Sequence, residues 1–209
     1  MHFDLETLLH PSPVTLPEGM RVVLGSGSPR RKELCTKMGL AFTVVPAECD
    51  ETYDKDAVSP KDAVELLSRR KCLSVVEQVG EDALVIASDT IVDLDGHALG
   101  KPLDTEDAMD MLRGLAGNSH FVHTGVAVAY GGKCLVSHDS TEVVFREASE
   151  AELRAYAESE EPRDKAGAYA IQGEAGKFVS SVKGEFDTVV GLPCEVLARL
   201  IREVLENKI

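Results

Sequence analysis

The sequence predicts an α/β fold, and three observations carry that prediction. A short apolar run at 20–23 feeds a glycine–serine turn and then a helix start. Leu84, Val85, Ile86 and Ala87 are apolar without alternation, the pattern of a strand covered on both faces. Helical and strand patterns then interleave along the chain, as they do where helices pack on a sheet.

The first strand, 20–23, leads to a helix with Ser28 at the N-cap and Pro29 at the first position, where a missing N–H is tolerated. Leu34 and Met38, four residues apart, share its inward face. A second strand covers 41–45. Ser59 and Pro60 open a helix to about Val79, with Ala63, Leu66, Leu67 and Val75 turned inward. The buried strand ends at Ser88–Asp89–Thr90, and 91–94 turns back at Asp95–Gly96, a hairpin signature. A helix from near Thr105 presents Ala108, Met111, Leu112 and Leu115 and stops at Gly117. Segments 121–130 and 133–146 form a second hairpin, joined at Gly131–Gly132. Ser149 to Glu152 is a capping box, and Pro162 closes that region. Segment 165–173 reads as small and flexible. The last helix carries Val196, Leu197, Leu200 and Val204 inward. No repeat or linker interrupts this one unit.

At 209 residues the chain is long enough to bury a sizeable core. It has no apolar run long enough to span a membrane, and 1–19 has neither signal-peptide nor transit-peptide character, so a cytoplasmic location is expected. Cys35, Cys49, Cys72, Cys134 and Cys194 are odd in number and lack a C-x-x-C, so they read as reduced thiols. His120 and His123 read as strand positions, not zinc ligands. A net charge of −14 without a basic stripe excludes a nucleic-acid polymer as partner. It does not exclude a small anionic ligand. Screening acts over about 8 Å at physiological salt, so converging Arg and Lys set the potential inside a cleft.

Several residues point to chemistry. A strand, a small-residue turn and a helix start aim unpaired N–H groups and the helix dipole at one point. Ser26, Gly27 and Ser28, with Gly25 before them and Arg30 and Arg31 after, therefore read as a phosphate seat. A nicotinamide-dependent oxidoreductase would use the same turn, but Arg30 stands where its third glycine belongs. No P-loop pattern is present. Glu48, Asp50 and Glu51 form either a solvated loop or a hard-metal site beside substrate phosphates. Asp89, at the end of a central strand, has its carboxylate fixed where ligands bind, or else holds the turn. Arg69, Arg70 and Lys71 point in different directions on a helix, so at most two face a cleft. Lys101 sits before Pro102 on a restricted loop, and the Gln172 amide could read a base edge.

Taken together, S-G-S-P-R-R (26–31), D-E-T (50–52), A-S-D-T (87–90), G-K-P (100–102), K-A-G-A-Y-A-I-Q-G (165–173) and V-V-G-L-P (189–193) resemble the Maf family of nucleotide pyrophosphatases. The resemblance covers nearly everything after residue 20. It implies a single domain at 20–209 behind an N-terminal extension at 1–19. It also implies a fold like that of inosine triphosphate pyrophosphatases, with two lobes around a cleft in a long mixed sheet. A homodimer and a divalent metal, Mg²⁺ or Mn²⁺, are further implications. The implied reaction is hydrolysis of a nucleoside triphosphate to the monophosphate and pyrophosphate. Asp89 matches the family's proton acceptor, Glu51 an acidic position that helps hold the metal with Asp89, and Lys71 and Lys101 the lysines facing the phosphates. Arg30, Thr90 and Gln172 occupy the positions that separate substrate classes and resemble the dTTP/UTP branch. Modified pyrimidine triphosphates or 7-methyl-GTP as substrate, or a non-catalytic nucleotide-binding regulator of cell division, are the alternative expectations. Thr188 and Cys72 depart from the usual residues at their positions.

Overall fold

The computed structural model describes residues 11–206, so 1–10 of the extension lie outside the described residues. Its strands are β1 (Val22–Leu24), β2 (Thr43–Val44), β3 (Leu84–Leu94), β4 (His97–Leu99), β5 (Ser119–Tyr130), β6 (Lys133–Phe145) and β7 (Val179–Lys183). They form one mixed sheet in the order β2-β1-β3-β5-β6-β7, with β4 also pairing β3. The helices are α1 (Pro29–Lys37), α2 (Pro60–Val79), α3 (Thr105–Leu115), α4 (Glu150–Ala157), α5 (Phe186–Val190) and α6 (Cys194–Glu206). Three 3-10 turns, Glu161–Asp164, Ala166–Ala168 and Glu174–Phe178, join α4 to β7. The expected α/β class and both expected hairpins are present.

The two faces of the sheet are covered differently, and β3 shows why. Val85, Ala87 and Ile91 alternate onto the face packed by α2, where Cys72, Val75, Val64 and Leu67 meet them. Leu84, Ile86 and Val92 alternate onto the other face, which receives Leu34 of α1, Met38 just after it, and Leu197, Leu200 and Ile201 of α6. At Gly125 of β5, α2 lies almost on the strand: a Cβ there would stand 2.2 Å from the Val64 carbonyl oxygen. Of the extension, Val14 donates its N–H to the Met38 carbonyl (3.0 Å), and Val14 and Leu16 pack against the core.

The cleft originates in strand pairing. On one edge, β3 pairs along its whole active length with antiparallel β5, from Val85↔Ala129 to Asp93↔Phe121. On its other edge parallel β1 stops at Leu24↔Ile86, and β4 begins only at Val92↔Leu99. Among the described residues, 87–91 thus have one edge without a strand. Side chains from both faces of β3 reach that opening.

Four sequence expectations need correction. Asp89 is not at the end of a strand: β3 runs on through Leu94 because β5 supplies ladder partners throughout, including Gly125 opposite Asp89. The strand that ends here is β1, which stops opposite Ile86, before Asp89 is reached. Segment 165–173 is not a flexible strip, because Gly167, Ala168, Tyr169 and Ile171 are buried and the Gly167 N–H donates to the Gly100 carbonyl at 3.0 Å. The second strand shrinks to two residues. Ser28 occupies the α1 N-cap position but makes no side-chain cap bond, and it lines the cleft.

His120 and His123 do lie in β5. His120 is 2% exposed, lies edge-on to Phe145 and Tyr169, and bonds the Tyr169 hydroxyl through Nε2 at 2.8 Å, while its Nδ1 has no hydrogen-bond partner among the described residues. Burial pushes its pKa down to about 4. Below the usual imidazole value the unfolded chain therefore binds a proton the folded one refuses, and stability falls as pH falls. Between pH 6.5 and 4 this one group is expected to remove about 3 kcal/mol. Denaturant titrations across that range check it, and His120→Phe should flatten the slope.

Candidate active site

One stripe on α2 brings the first group together. Leu67, Lys71 and Val75 are spaced i, i+4, i+8, so Lys71 projects from the apolar row that faces the sheet. There it meets Asp89, which alternates onto the same face of β3. The Lys71 Nζ lies 2.5 Å from Asp89 Oδ1 and 2.9 Å from Glu51 Oε2. Burial opposes the ammonium charge, but Asp89 and then Glu51 more than offset it, so the Lys71 pKa is raised. The neighbouring cations act differently. Arg70 donates to the carbonyls of Asp50 (3.3 Å) and Thr52 (2.6 Å), which pins the loop on both sides of Glu51, and Arg69 is exposed. Glu51 itself is 59% exposed on that loop.

A second group is assembled on the opposite face. Arg31 of α1 donates Nε to the Gly191 carbonyl (2.8 Å), Nη1 to Ser26 Oγ (3.3 Å) and Nη2 to Thr90 Oγ1 (3.1 Å). Thr90 Oγ1 also pairs with Thr124 Oγ1 at 3.0 Å, and Thr124 donates to the Thr188 carbonyl at 2.7 Å. Ser88 Oγ donates to the Gly191 carbonyl as well, at 2.9 Å. Gly191 makes this possible, since its φ of +113° is open to glycine and a Cβ would crowd Thr90 Oγ1 at 3.2 Å. Arg31, Ser26 and Thr90 are therefore largely committed to one another. Burial lowers the Arg31 pKa, and Asp89 works against that loss.

Arg30 is placed differently. Its Nε donates to the Val190 carbonyl at 3.3 Å, and among the described residues its two terminal nitrogens have no hydrogen-bond partner. Burial lowers its pKa, while Asp164 and Glu161 support its charge.

Both groups open onto one cleft of about 670 Å³ around the unpaired edge of β3. Ser28, Arg30, Arg31, Glu51, Lys71, Asp89, Thr90, Lys101 and Gln172 line it. Ser26 and Gly27 do not: Ser26 is buried and turned to Arg31 and to the Ser28 N–H (3.3 Å), and Gly27 lies on the exposed turn. Sequence reasoning missed Tyr53, Lys55 and Lys165, which also line the cleft. Lys165 stood in a motif already singled out, but Tyr53 and Lys55 lie in an acidic loop that carried no signal for them. Six cations, Arg30, Arg31, Lys55, Lys71, Lys101 and Lys165, face three carboxylates there, Glu51, Asp89 and Asp164. The cleft is thus cationic in a chain of net charge −14.

Glu51 and Asp89 both reach one ammonium, so their oxygens can converge on a single cation. Among the described residues no third His, Cys, Asp or Glu joins them. That donor set suits Mg²⁺, which is commonly held by one or two carboxylates with substrate phosphates and water completing the shell.

The Maf-like protein family model matches residues 21–204. A dTTP/UTP pyrophosphatase of Pelotomaculum thermopropionicum is 45% identical over 87% of this chain and 95% of its own length. One from Hahella chejuensis is 44% identical over 88% and 92%, and one from Bacillus cereus 41% over 90% and 96%. Among solved structures, a HAM1 protein from Coxiella burnetii superposes with a TM-score of 0.46 at 12% identity, covering 88% of this chain and 99% of that one. With the matched model spanning the sheet, the cleft and every residue that lines it, the chain belongs to the Maf-like protein family.

Proposed function

We propose that this chain hydrolyses dTTP and UTP to the monophosphate and pyrophosphate. The observation that carries the reading is the meeting of Asp89, Glu51 and Lys71 on the wall of a cationic cleft that Ser28, Arg30, Lys101 and Gln172 also line. The substrate printed for each of the relatives described above supports the choice of nucleotide.

Water attacks the α-phosphorus and pyrophosphate leaves. Asp89 accepts the proton of that water; its Oδ1 is held by Lys71, and Oδ2 has no protein partner among the described residues. Ser28, Arg30, Lys55, Lys101 and Lys165 bind and orient the phosphates, and charge-assisted bonds of this kind are worth about 1.5–3 kcal/mol each. Arg31, tied to Ser26, Thr90 and Gly191, holds the turn at 26–28 in place. A divalent cation, Mg²⁺ or Mn²⁺, would be held by Glu51 and Asp89 and would polarise the phosphoryl oxygen. The Gln172 carboxamide, without a protein partner among the described residues, reads the pyrimidine edge beside Thr90. Residues 20–209 act as one domain, in the cytoplasm and as a homodimer. The five cysteines, all unpaired, suit a reducing compartment, and sedimentation tests the dimer.

A panel of triphosphates assayed for pyrophosphate with Mg²⁺ present tests the reading. Release from dTTP and UTP is expected, and Gln172→Ala should lower their preference over GTP by about tenfold. Preferential release from 7-methyl-GTP would move the chain to another substrate. Binding of dTTP without release would make it a sensor.

A further inference from the structure

Gln172 sits at the end of a short peptide whose position needs its own explanation. The next element is the 3-10 turn Glu174–Phe178, with Gly173 at its N-cap position. Glycine has no side chain to satisfy the free N–H groups of a turn start. The carboxylate of Glu161, twelve residues upstream of Gly173, takes that place. Glu161 Oε2 accepts the Glu174 N–H at 3.0 Å, and Oε1 accepts the Ala175 N–H at 3.4 Å. A Cβ on Gly173 would lie 2.1 Å from Glu161 Oε2, so the carboxylate fills the space a local capping side chain would use. The buried Tyr156 hydroxyl donates to Glu161 Oε1 at 2.9 Å and fixes the rotamer. The same carboxylate lies near enough to Arg30 to support its charge. One acidic group thus caps the turn after Gln172 and adds to the field at Arg30, two cleft residues from distant parts of the chain.

We propose that Glu161 is a positioning residue for substrate choice: its carboxylate caps the turn after Gln172 and so fixes the Gln172 carboxamide on the cleft wall. This rests on the reading of Gln172 as the base-reading residue. Glu161 touches no substrate in this role. Its effect is borne by the peptide at 170–175, which the capped turn holds against Tyr156 and α4.

Steady-state kinetics with dTTP and GTP, and amide exchange at Glu174 and Ala175, test the proposal on Gln172→Ala, Glu161→Gln, Glu161→Ala and Glu161→Ala combined with Gly173→Ser. Glu161→Ala is expected to raise the KM for dTTP about tenfold, to lower the dTTP-over-GTP preference as Gln172→Ala does, and to leave kcat within about twofold. Exchange at Glu174 and Ala175 should speed up in the same variant. Adding Gly173→Ser supplies a local cap on a backbone that accepts it, and should restore both KM and protection. Glu161→Gln, which keeps acceptor oxygen, should fall between. A Glu161→Ala enzyme with wild-type KM and preference, while Gln172→Ala is altered, overturns the proposal and spares the base-reading role. A loss of kcat and melting temperature that the serine does not rescue makes Glu161 merely structural and also overturns it. Unchanged preference in Gln172→Ala removes the base-reading role itself, and the positioning role with it.

Discussion

Asp89→Asn is expected to reduce dTTP turnover about 10³-fold while the protein stays folded. The amide is the same size as the carboxylate, and its oxygen can still accept from Lys71, so the packing of β3 against α2 is kept. What is lost is the ability to take a proton from the attacking water. Lys71 retains Glu51 at 2.9 Å and so keeps a charged partner in its half-buried position. The rate of pyrophosphate release at saturating dTTP and Mg²⁺, with the melting temperature measured alongside, checks the expectation. Turnover at the wild-type rate would take Asp89 out of the chemistry. Glu51→Gln is expected to do less to the rate at saturating metal and more to the Mg²⁺ concentration needed, because Glu51 is an exposed carboxylate on the cleft wall whose proposed part is to hold the cation, not to take the proton.

Gly125→Ala should give the largest loss of stability. The added methyl would stand 2.2 Å from the Val64 oxygen and 2.5 Å from the Val64 carbon, and both are main-chain atoms of α2 with no rotamer to yield. The helix has to lift off the sheet, opening the packing of Val64, Leu67, Cys72 and Val75. Overpacking of this kind costs about 3 kcal/mol. In a chain of this length that corresponds to a melting temperature lower by about 10 °C. Turnover should fall as well, since α2 carries Lys71 and Gly125 is the β5 partner of Asp89. Thermal melts and kcat on the same preparation test both effects, and an unchanged melting point would show that α2 adjusts freely.

Much of the architecture was legible from local signals. The start of α2 at Ser59–Pro60, the capping box at Ser149 and the Gly131–Gly132 hairpin each depend on neighbours in sequence, and each is present. The convergence of Glu51, Lys71 and Asp89 was expected only through the family resemblance, and the fold brings the three together. Local patterns could not tell that β3 continues past Asp89, because the ladder that extends it comes from β5, whose partners run from Thr124 opposite Thr90 to Phe121 opposite Asp93. Nor could they divide labour between adjacent arginines. Arg30 and Arg31 look alike in sequence, but among the described residues one keeps its terminal nitrogens clear while the other is consumed by Ser26, Thr90 and Gly191. Segment 165–173 misled for the same reason: small residues suggest mobility, whereas here they permit close packing against Val92 and the Gly100 loop. Glu161 carried no signal at all, since its partner turn has no side chain at the capping position.

The alternation along β3 also constrains how this enzyme could diverge. Asp89 belongs to one side of the sheet and Thr90 to the other, and among the described residues both lie where β3 has no strand on the edge away from β5. Swapping amino acids along β3 leaves this division intact. A single-codon insertion or deletion upstream within the strand would send acid and hydroxyl to each other's side, separating Asp89 from Lys71 and Thr90 from Arg31 in one step. Length variation among descendants of this chain should therefore accumulate in its loops and spare this one strand.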